Sequence, residues 1–221
     1  MNTLLNAPVH QVLSRLFAES EQASPMQIPA LARLSKAEQT AMMQSKSEYR
    51  ELYAQLKDVP LAVSKDTANL LYMLARSCNA RCIVEFGTSY GISTLHLAAA
   101  LRDNGGGRLL TTEFEASKVR KATQHLSQAN LLDLVEIREG DALQSLSSNL
   151  PAQIDLLLLD GAKALYLDVL HLVQPNLRAG ALIVADNADY CAEYMAYIAN
   201  PANGYLSVPF AEDVELSCKL V

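Results

Sequence analysis

The sequence is short of positive charge. Its 221 residues carry 18 lysines and arginines against 24 aspartates and glutamates, a formal charge of −6. That balance disfavours non-specific binding to nucleic acid or to an anionic membrane surface, both of which want clustered basic residues. Long hydrophobic runs are missing as well. No apolar stretch reaches the length that spans a bilayer, and residues 1–20 lack the basic start and continuous apolar stretch of a secretory leader. The four cysteines, Cys78, Cys82, Cys191 and Cys218, form neither a redox C-x-x-C nor a zinc-binding spacing. Reduced thiols filling apolar space in a cytoplasmic protein are the expectation. The glycines nowhere form G-x-G-x-x-G, which counts against a nicotinamide dinucleotide and an oxidoreductase built around one.

What is present is an ordinary globular composition, 50% hydrophobic and 19% charged, long enough for one substantial core. Residues 1–60 read as a helical extension of uncertain purpose: a lid, a dimer arm or packing. Val9, Val12, Leu13, Leu16 and Phe17 form a helical stripe. Pro25 and Pro29 then break the chain. Ser35 with Glu38 suits a capping box that opens a helix through about Leu56.

From residue 61 to 221 strands and helices alternate. Ser64 can cap a helix through Ala75. Strands are expected at Cys82–Phe86, Arg108–Thr112, Leu134–Ile137, Ile154–Leu159 and Ala181–Ala185. Helices are expected at Ser93–Leu101, Ala116–Asn130 and Tyr166–Val173. Strands that are continuously apolar and separated by helices indicate a parallel sheet covered on both faces. The tail differs: Tyr205–Val208 and Val214–Leu220 read as a closing antiparallel pair. The predicted fold is α/β, Rossmann-like and doubly wound. It has a mostly parallel seven-stranded sheet, the C-terminal antiparallel pair and the N-terminal helical extension.

Ligands of such sheets collect beyond the carboxyl ends of the strands. Here that place is Glu85-Phe86-Gly87-Thr88-Ser89-Tyr90-Gly91-Ile92-Ser93. Gly87 lets the chain turn off the strand, and Gly91 lets backbone approach a ligand. Ser93 lies at a helix N-terminus, which attracts a carboxylate or phosphate. Glu113 ends the next strand, where a carboxylate can accept both hydroxyls of a ribose. Asp141 and Ala142 follow the third strand and can meet an adenine edge. The competing reading, a plain strand–helix turn, explains the two glycines but not the two acids at matching strand ends.

Glu85-Phe86-Gly87-Thr88-Ser89-Tyr90-Gly91 resembles the first motif of class I S-adenosylmethionine-dependent methyltransferases, and the likeness runs from about Val63 to Val221. It implies that Glu85, Gly87, Ser89 and Ser93 hold the methionine end of S-adenosyl-L-methionine, Glu113 the ribose, and Asp141 with Ala142 the adenine. Gly91 and Asp160 belong to the same cofactor set.

A second constellation follows the fourth and fifth strands: Asp160-Gly161-Ala162-Lys163, and Asp186-Asn187. These strands are expected to be neighbours, about 4.8 Å apart. Asp160, Asp186 and Asn187 then offer hard oxygen ligands for Mg²⁺, or for Ca²⁺ or Mn²⁺. Successive strand residues face opposite ways, so Asp186 and Asn187 can share an ion only if the strand has ended there. The alternatives are a helix cap at Asp160 and a turn at Asp186-Asn187. The set resembles the cation-dependent O-methyltransferases typified by catechol and caffeoyl-CoA O-methyltransferases. One departure stands out: the caffeoyl-CoA type usually has Asp-Ala where this chain has Gly161-Ala162.

The implied reaction moves a methyl group to a hydroxyl of a small catechol-like or phenolic acceptor, with Asp160 and Lys163 as catalytic residues. Lys163 is expected to have a depressed pKa and to take the proton, unless it is salt-bridged to Asp160 or Asp168. Tyr166 and Tyr190 are expected near the acceptor, and Glu212 and Asp213 in solvent. His10, His96, His125 and His171 fall in predicted helices and have no assigned role. A non-catalytic cofactor-binding module, or transfer to nitrogen or carboxylate, are the rival readings. The resemblance also implies a homodimer.

Overall fold

The computed structural model describes residues 2–23, 28, 32–211 and 213–221; Pro25, Pro29 and Glu212 lie outside them. Seven strands form one sheet: β1 (Cys82–Phe86), β2 (Arg108–Glu113), β3 (Val135–Glu139), β4 (Ile154–Leu159), β5 (Leu177–Ala185), β6 (Tyr205–Phe210) and β7 (Val214–Lys219). Their order across the sheet is β3-β2-β1-β4-β5-β7-β6. The pairs from β3 to β5 are parallel, and β7 runs antiparallel to both β5 and β6. The predicted architecture is the observed one.

The continuous apolar strands have a simple cause. Ile83, Leu156 and Leu158 pack into the core on one face of the sheet. Val84, Leu157 and Leu159 pack into the core on the other. Each of these side chains is fully buried and contributes on the order of 1.5–3 kcal/mol. The first face is covered by α1 (Val9–Gln22), α4 (Lys65–Ser77), α5 (Ile92–Asp103) and α6 (Ala116–Gln128). The second is covered by α7 (Ala142–Ser145), α8 (Tyr166–Val173) and α9 (Ala192–Ile198).

Two further helices, α2 (Lys36–Gln44) and α3 (Tyr49–Gln55), replace the single helix expected from Ser35 to Leu56. Its start is as predicted. The Ser35 side chain accepts from the Glu38 amide while Glu38 returns to the Ser35 amide. The interruption has its own cause: Ser45 Oγ accepts from the amides of Ser47 and Glu48, and this local alternative competes with helical bonding. The fifth strand also departs from expectation. It begins at Leu177, four residues before Ala181, and its register with β4 jumps between Ile154–Leu177 and Leu156–Leu182. Gly180, at φ 76°, sits inside that irregularity, so it bends the strand and does not launch it. The four histidines lie in helices, as expected.

Strand order reverses between β1 and β4, so the loops after these two strands leave the sheet side by side on its carboxyl edge. This is the topological switch point at which α/β sheets bind ligands.

Candidate active site

Two cavities open beyond that edge. The smaller, about 240 Å³, lies over the ends of β1, β2 and β3; its lining includes Gly87, Ser89, Glu113, Asp141, Ala142 and Asp160. The larger, about 730 Å³, lies over the ends of β4 and β5 and has Asp160, Lys163, Asp186 and Asn187 in its wall. They share Tyr53, Leu61, Asp160 and Gly161. The two constellations read from the sequence are therefore adjoining compartments with a common wall.

Glu113 is fixed at the smaller cavity by backbone donors. Its Oε2 accepts from Ser89 N at 2.9 Å and its Oε1 from Glu115 N at 3.0 Å. Burial raises its pKa above the ordinary carboxylate value, against these bonds. Next to it, Thr112 Oγ1 is buried with no hydrogen-bond partner and Thr112 lines the cavity. An anchored carboxylate and an orphaned hydroxyl suit a ribose. Asp141 is engaged twice: Oδ1 accepts from Leu143 N at 2.9 Å, and Oδ2 takes the Arg50 guanidinium. Arg50 and Lys118, both in this lining, were missed by the sequence reading. Lys118 is 3% exposed, and burial lowers its pKa despite Glu113 and Glu115. Its place three residues into the helix after Glu113 is the signal that could have found it.

Three of the expected cofactor residues stand behind the cavity. Glu85 is sealed in the core, where Ser93 Oγ donates to Oε1 at 2.5 Å and Thr94 Oγ1 to Oε2 at 2.7 Å. Glu85 and Ser93 thus brace the loop from beneath and do not line the cavity. Gly91, the left-handed residue before α5, packs towards Ala122: a Cβ on it would sit 3.6 Å from the Ala122 Cβ. Its need for glycine is conformational, φ 91°, and has no ligand in it. At Gly87 the neighbour is again protein. A Cβ there would lie 2.2 Å from the Asp160 carbonyl oxygen. Ser89 does line the cavity, and its Oγ accepts from Leu61 N at 3.2 Å, tying the N-terminal region to the cofactor loop.

The acidic end of the larger cavity meets the geometric demand set by the sequence. β5 ends at Ala185 and Asn187 turns at φ 51°. Asp160 and Asp186 both line this cavity. Burial raises both pKa values, and for Asp186 the neighbouring Asp160 adds to the effect. Asn187 Nδ2 donates to Asp213 Oδ2 at 3.0 Å, so Asp213 is an anchor and not merely solvated. Two crowded carboxyls and an amide form a hard, electron-rich donor set that fits a divalent cation. Among the described residues no cluster of three or more His, Cys, Asp or Glu is arranged to hold a metal. A cation here would therefore lean on the amide, water and a bound substrate.

Lys163 is enclosed by acceptors. Its Nζ donates to Asp160 Oδ1 at 3.1 Å, Tyr166 Oη at 2.8 Å and the Asp186 carbonyl at 3.2 Å. Burial opposes the charge, but Asp160, Tyr53 and Asp186 outweigh it and hold the amine above the ordinary lysine value. These contacts favour the charged form of Lys163. Its bridge to Asp160 is the one considered; Asp168 pairs with Lys46 instead. Tyr166 is fully buried, donating to the Asp186 carbonyl at 2.7 Å. Tyr190 lines a separate surface pocket with Gln44 and Lys46. Neither tyrosine reaches the larger cavity. Gly161, the departure noted in sequence, receives the Phe86 ring: a Cβ would meet its Cζ at 2.5 Å. The acidic residue of the caffeoyl-CoA pattern has no room there unless Phe86 moves.

A family profile described as a methyltransferase domain matches residues 84–188, the stretch from β1 to just past Asn187. The matched stretch is similar to methyltransferase domains. The chain is 35% identical over 130 residues to a catechol O-methyltransferase of Niastella koreensis, covering 58% of each chain. It is 28% identical over 144 residues to caffeoyl-CoA O-methyltransferase 1 of Eucalyptus globulus, covering 63% of this chain and 58% of that one. The matched stretch thus spans less than two thirds of either relative. Among solved structures, the O-methyltransferase TomG of Streptomyces achromogenes, in complex with S-adenosylmethionine, superposes with a TM-score of 0.63 at 25% identity, covering 92% of this chain and 99% of that one.

Proposed function

We propose that the protein is an S-adenosylmethionine-dependent O-methyltransferase. It transfers a methyl group to a hydroxyl of a small catechol-like or phenolic acceptor, with a divalent cation assisting. The observation that carries this reading is the pair of cavities meeting at Asp160. When bound, the cofactor supplies a methyl group activated on a sulfonium, and the cation lowers the pKa of a hydroxyl beside it. Asp160, Asp186 and Asn187 would hold the cation. Glu113 would orient the ribose, with Gly87, Ser89, Asp141 and Ala142 completing the donor wall. Lys163, fixed as an ammonium, would stabilise negative charge developing on the acceptor oxygen. The rest is positioning.

Residues 1–60 serve in this proposal as a wall and lid, because α3 lines both compartments and Arg50 reaches Asp141. A homodimer and a cytoplasmic location belong to the same reading. The exposed Leu206 and Val208 on edge strand β6 support self-association, which light scattering in solution tests. No helix among the described residues is long and apolar enough to cross a membrane.

The decisive experiment measures methyl transfer to catechol before and after chelation. Activity should vanish with the chelator and return with Mg²⁺. The Asp186→Ala variant should lose about 10–100-fold or more. Equal rates with and without chelator would remove the cation from the mechanism, and full activity in Asp186→Ala would remove its site.

A further inference from the structure

The acceptor compartment has a polar floor and an apolar shaft. Beyond Asp160, Asp186 and Asn187 its wall is built by Leu52, Leu56, Val59 and Leu61. Leu52, Leu56 and Val59 form their own apolar cluster, with Met43 and Leu61 packed against it. Phe17 and Ala23 carry the apolar surface to the mouth. At about 730 Å³ the space lies within the range that encloses drug-sized ligands, well beyond the needs of a bare catechol ring.

Charge decides what the shaft can take. The basic side chains in its lining are Lys163 and Lys65. Lys163 is buried against Asp160, and Lys65 is paired with Glu21 across the mouth at 2.6 Å. The residues of the 24–31 region that are not described include no lysine or arginine. A nucleotide conjugate brings several phosphate charges, and phosphate recognition wants free arginines, lysines or helix N-termini. This compartment offers none among its described lining residues. Burying an unpaired anion against leucine and valine is costly.

We propose that the acceptor is an uncharged ring diol bearing an apolar tail. The diol sits at Asp160, Asp186 and Asn187 and the tail runs along Leu52, Leu56 and Val59 towards Phe17. Coenzyme-A thioesters are excluded. The inference rests on the methyltransferase reading above and narrows its substrate class.

The test is steady-state kinetics on a series of 4-alkylcatechols from methyl to hexyl, beside catechol itself and a hydroxycinnamoyl-CoA thioester. KM should fall about two- to fourfold per added methylene until the shaft is filled, and the thioester should not be turned over. Leu56→Lys should raise KM for hexylcatechol at least tenfold more than it raises KM for catechol. Val59→Ser, a milder change, should move hexylcatechol in the same direction. Cofactor affinity by calorimetry, unchanged in both variants, shows that they are folded. A KM independent of tail length, or turnover of the thioester, overturns this inference and leaves the methyltransferase reading intact. Methylation of none of these acceptors removes that reading and this one with it.

Discussion

Glu85 is an acid sealed under the loop that follows β1. Burial pushes its pKa up from 4.5 to about 7, against hydrogen bonds from Ser93 and Thr94. The folded chain therefore binds this proton more tightly than the unfolded chain. The resulting stability is fully present below about pH 4.5 and is lost as pH rises through about 7. The loss should be on the order of 3 kcal/mol, small beside the core but a large part of a marginal total. Glu85→Gln keeps the shape and removes the titration. Urea unfolding at pH 5 and pH 8 should show the fall in the parent chain and a much flatter response in the variant. An equal fall in both would place the titration elsewhere. Lys163 shows the same competition with the opposite result: acidic neighbours outweigh burial and the charge stays.

At the scale of elements, the N-terminal helices are held by local signals that a sequence displays openly. Ser35 and Glu38 satisfy each other's amides, so Ser35→Ala should cost about 1 kcal/mol. Because α2 buries no residue fully, that cost should appear as faster hydrogen exchange across Lys36–Gln44, with the global unfolding midpoint nearly unchanged. A protected, unaltered α2 would contradict it. The same contrast explains what could be read in advance. β4 and α8 were legible to the residue, because an apolar run between turn signals leaves little choice. Asp160 and Asp186 were legible as neighbours, because strand ends in a parallel sheet line up. Ser45 ending α2 was not, since a serine that accepts from the amides just ahead of it looks like any surface serine. Arg50 and Tyr53 escaped for a different reason. They reach the site across 91 and 108 residues of chain, a distance that no local pattern encodes. Glu85, Gly91 and Ser93 flank the loop and face protein, because a motif fixes a backbone path and leaves side-chain direction to packing.

For the whole molecule, the order of the sheet places the two cavities on one edge, and ligand binding should report on global stability. Saturation with S-adenosylmethionine at a hundredfold excess over its Kd should add about 2.7 kcal/mol. For a chain of this size that raises Tm by roughly 5–10 °C. NAD at the same concentration should leave it unmoved, as the absence of G-x-G-x-x-G requires. A thermal shift with NAD and none with S-adenosylmethionine would reject the donor assignment.

The contact between Gly87 and the Asp160 carbonyl sets how the two compartments can move. One loop carries the donor wall, the other the acceptor floor, and they touch through main chain with no side chain between them. Thermal displacement of either loop must carry the other along. In the proposed reaction, this non-covalent main-chain contact would set the spacing between methyl donor and receiving oxygen. On the proposed reading, substitutions that reshape the leucine shaft would alter which molecule is accepted without changing that spacing, whereas any side chain at position 87 would wedge the two loops apart.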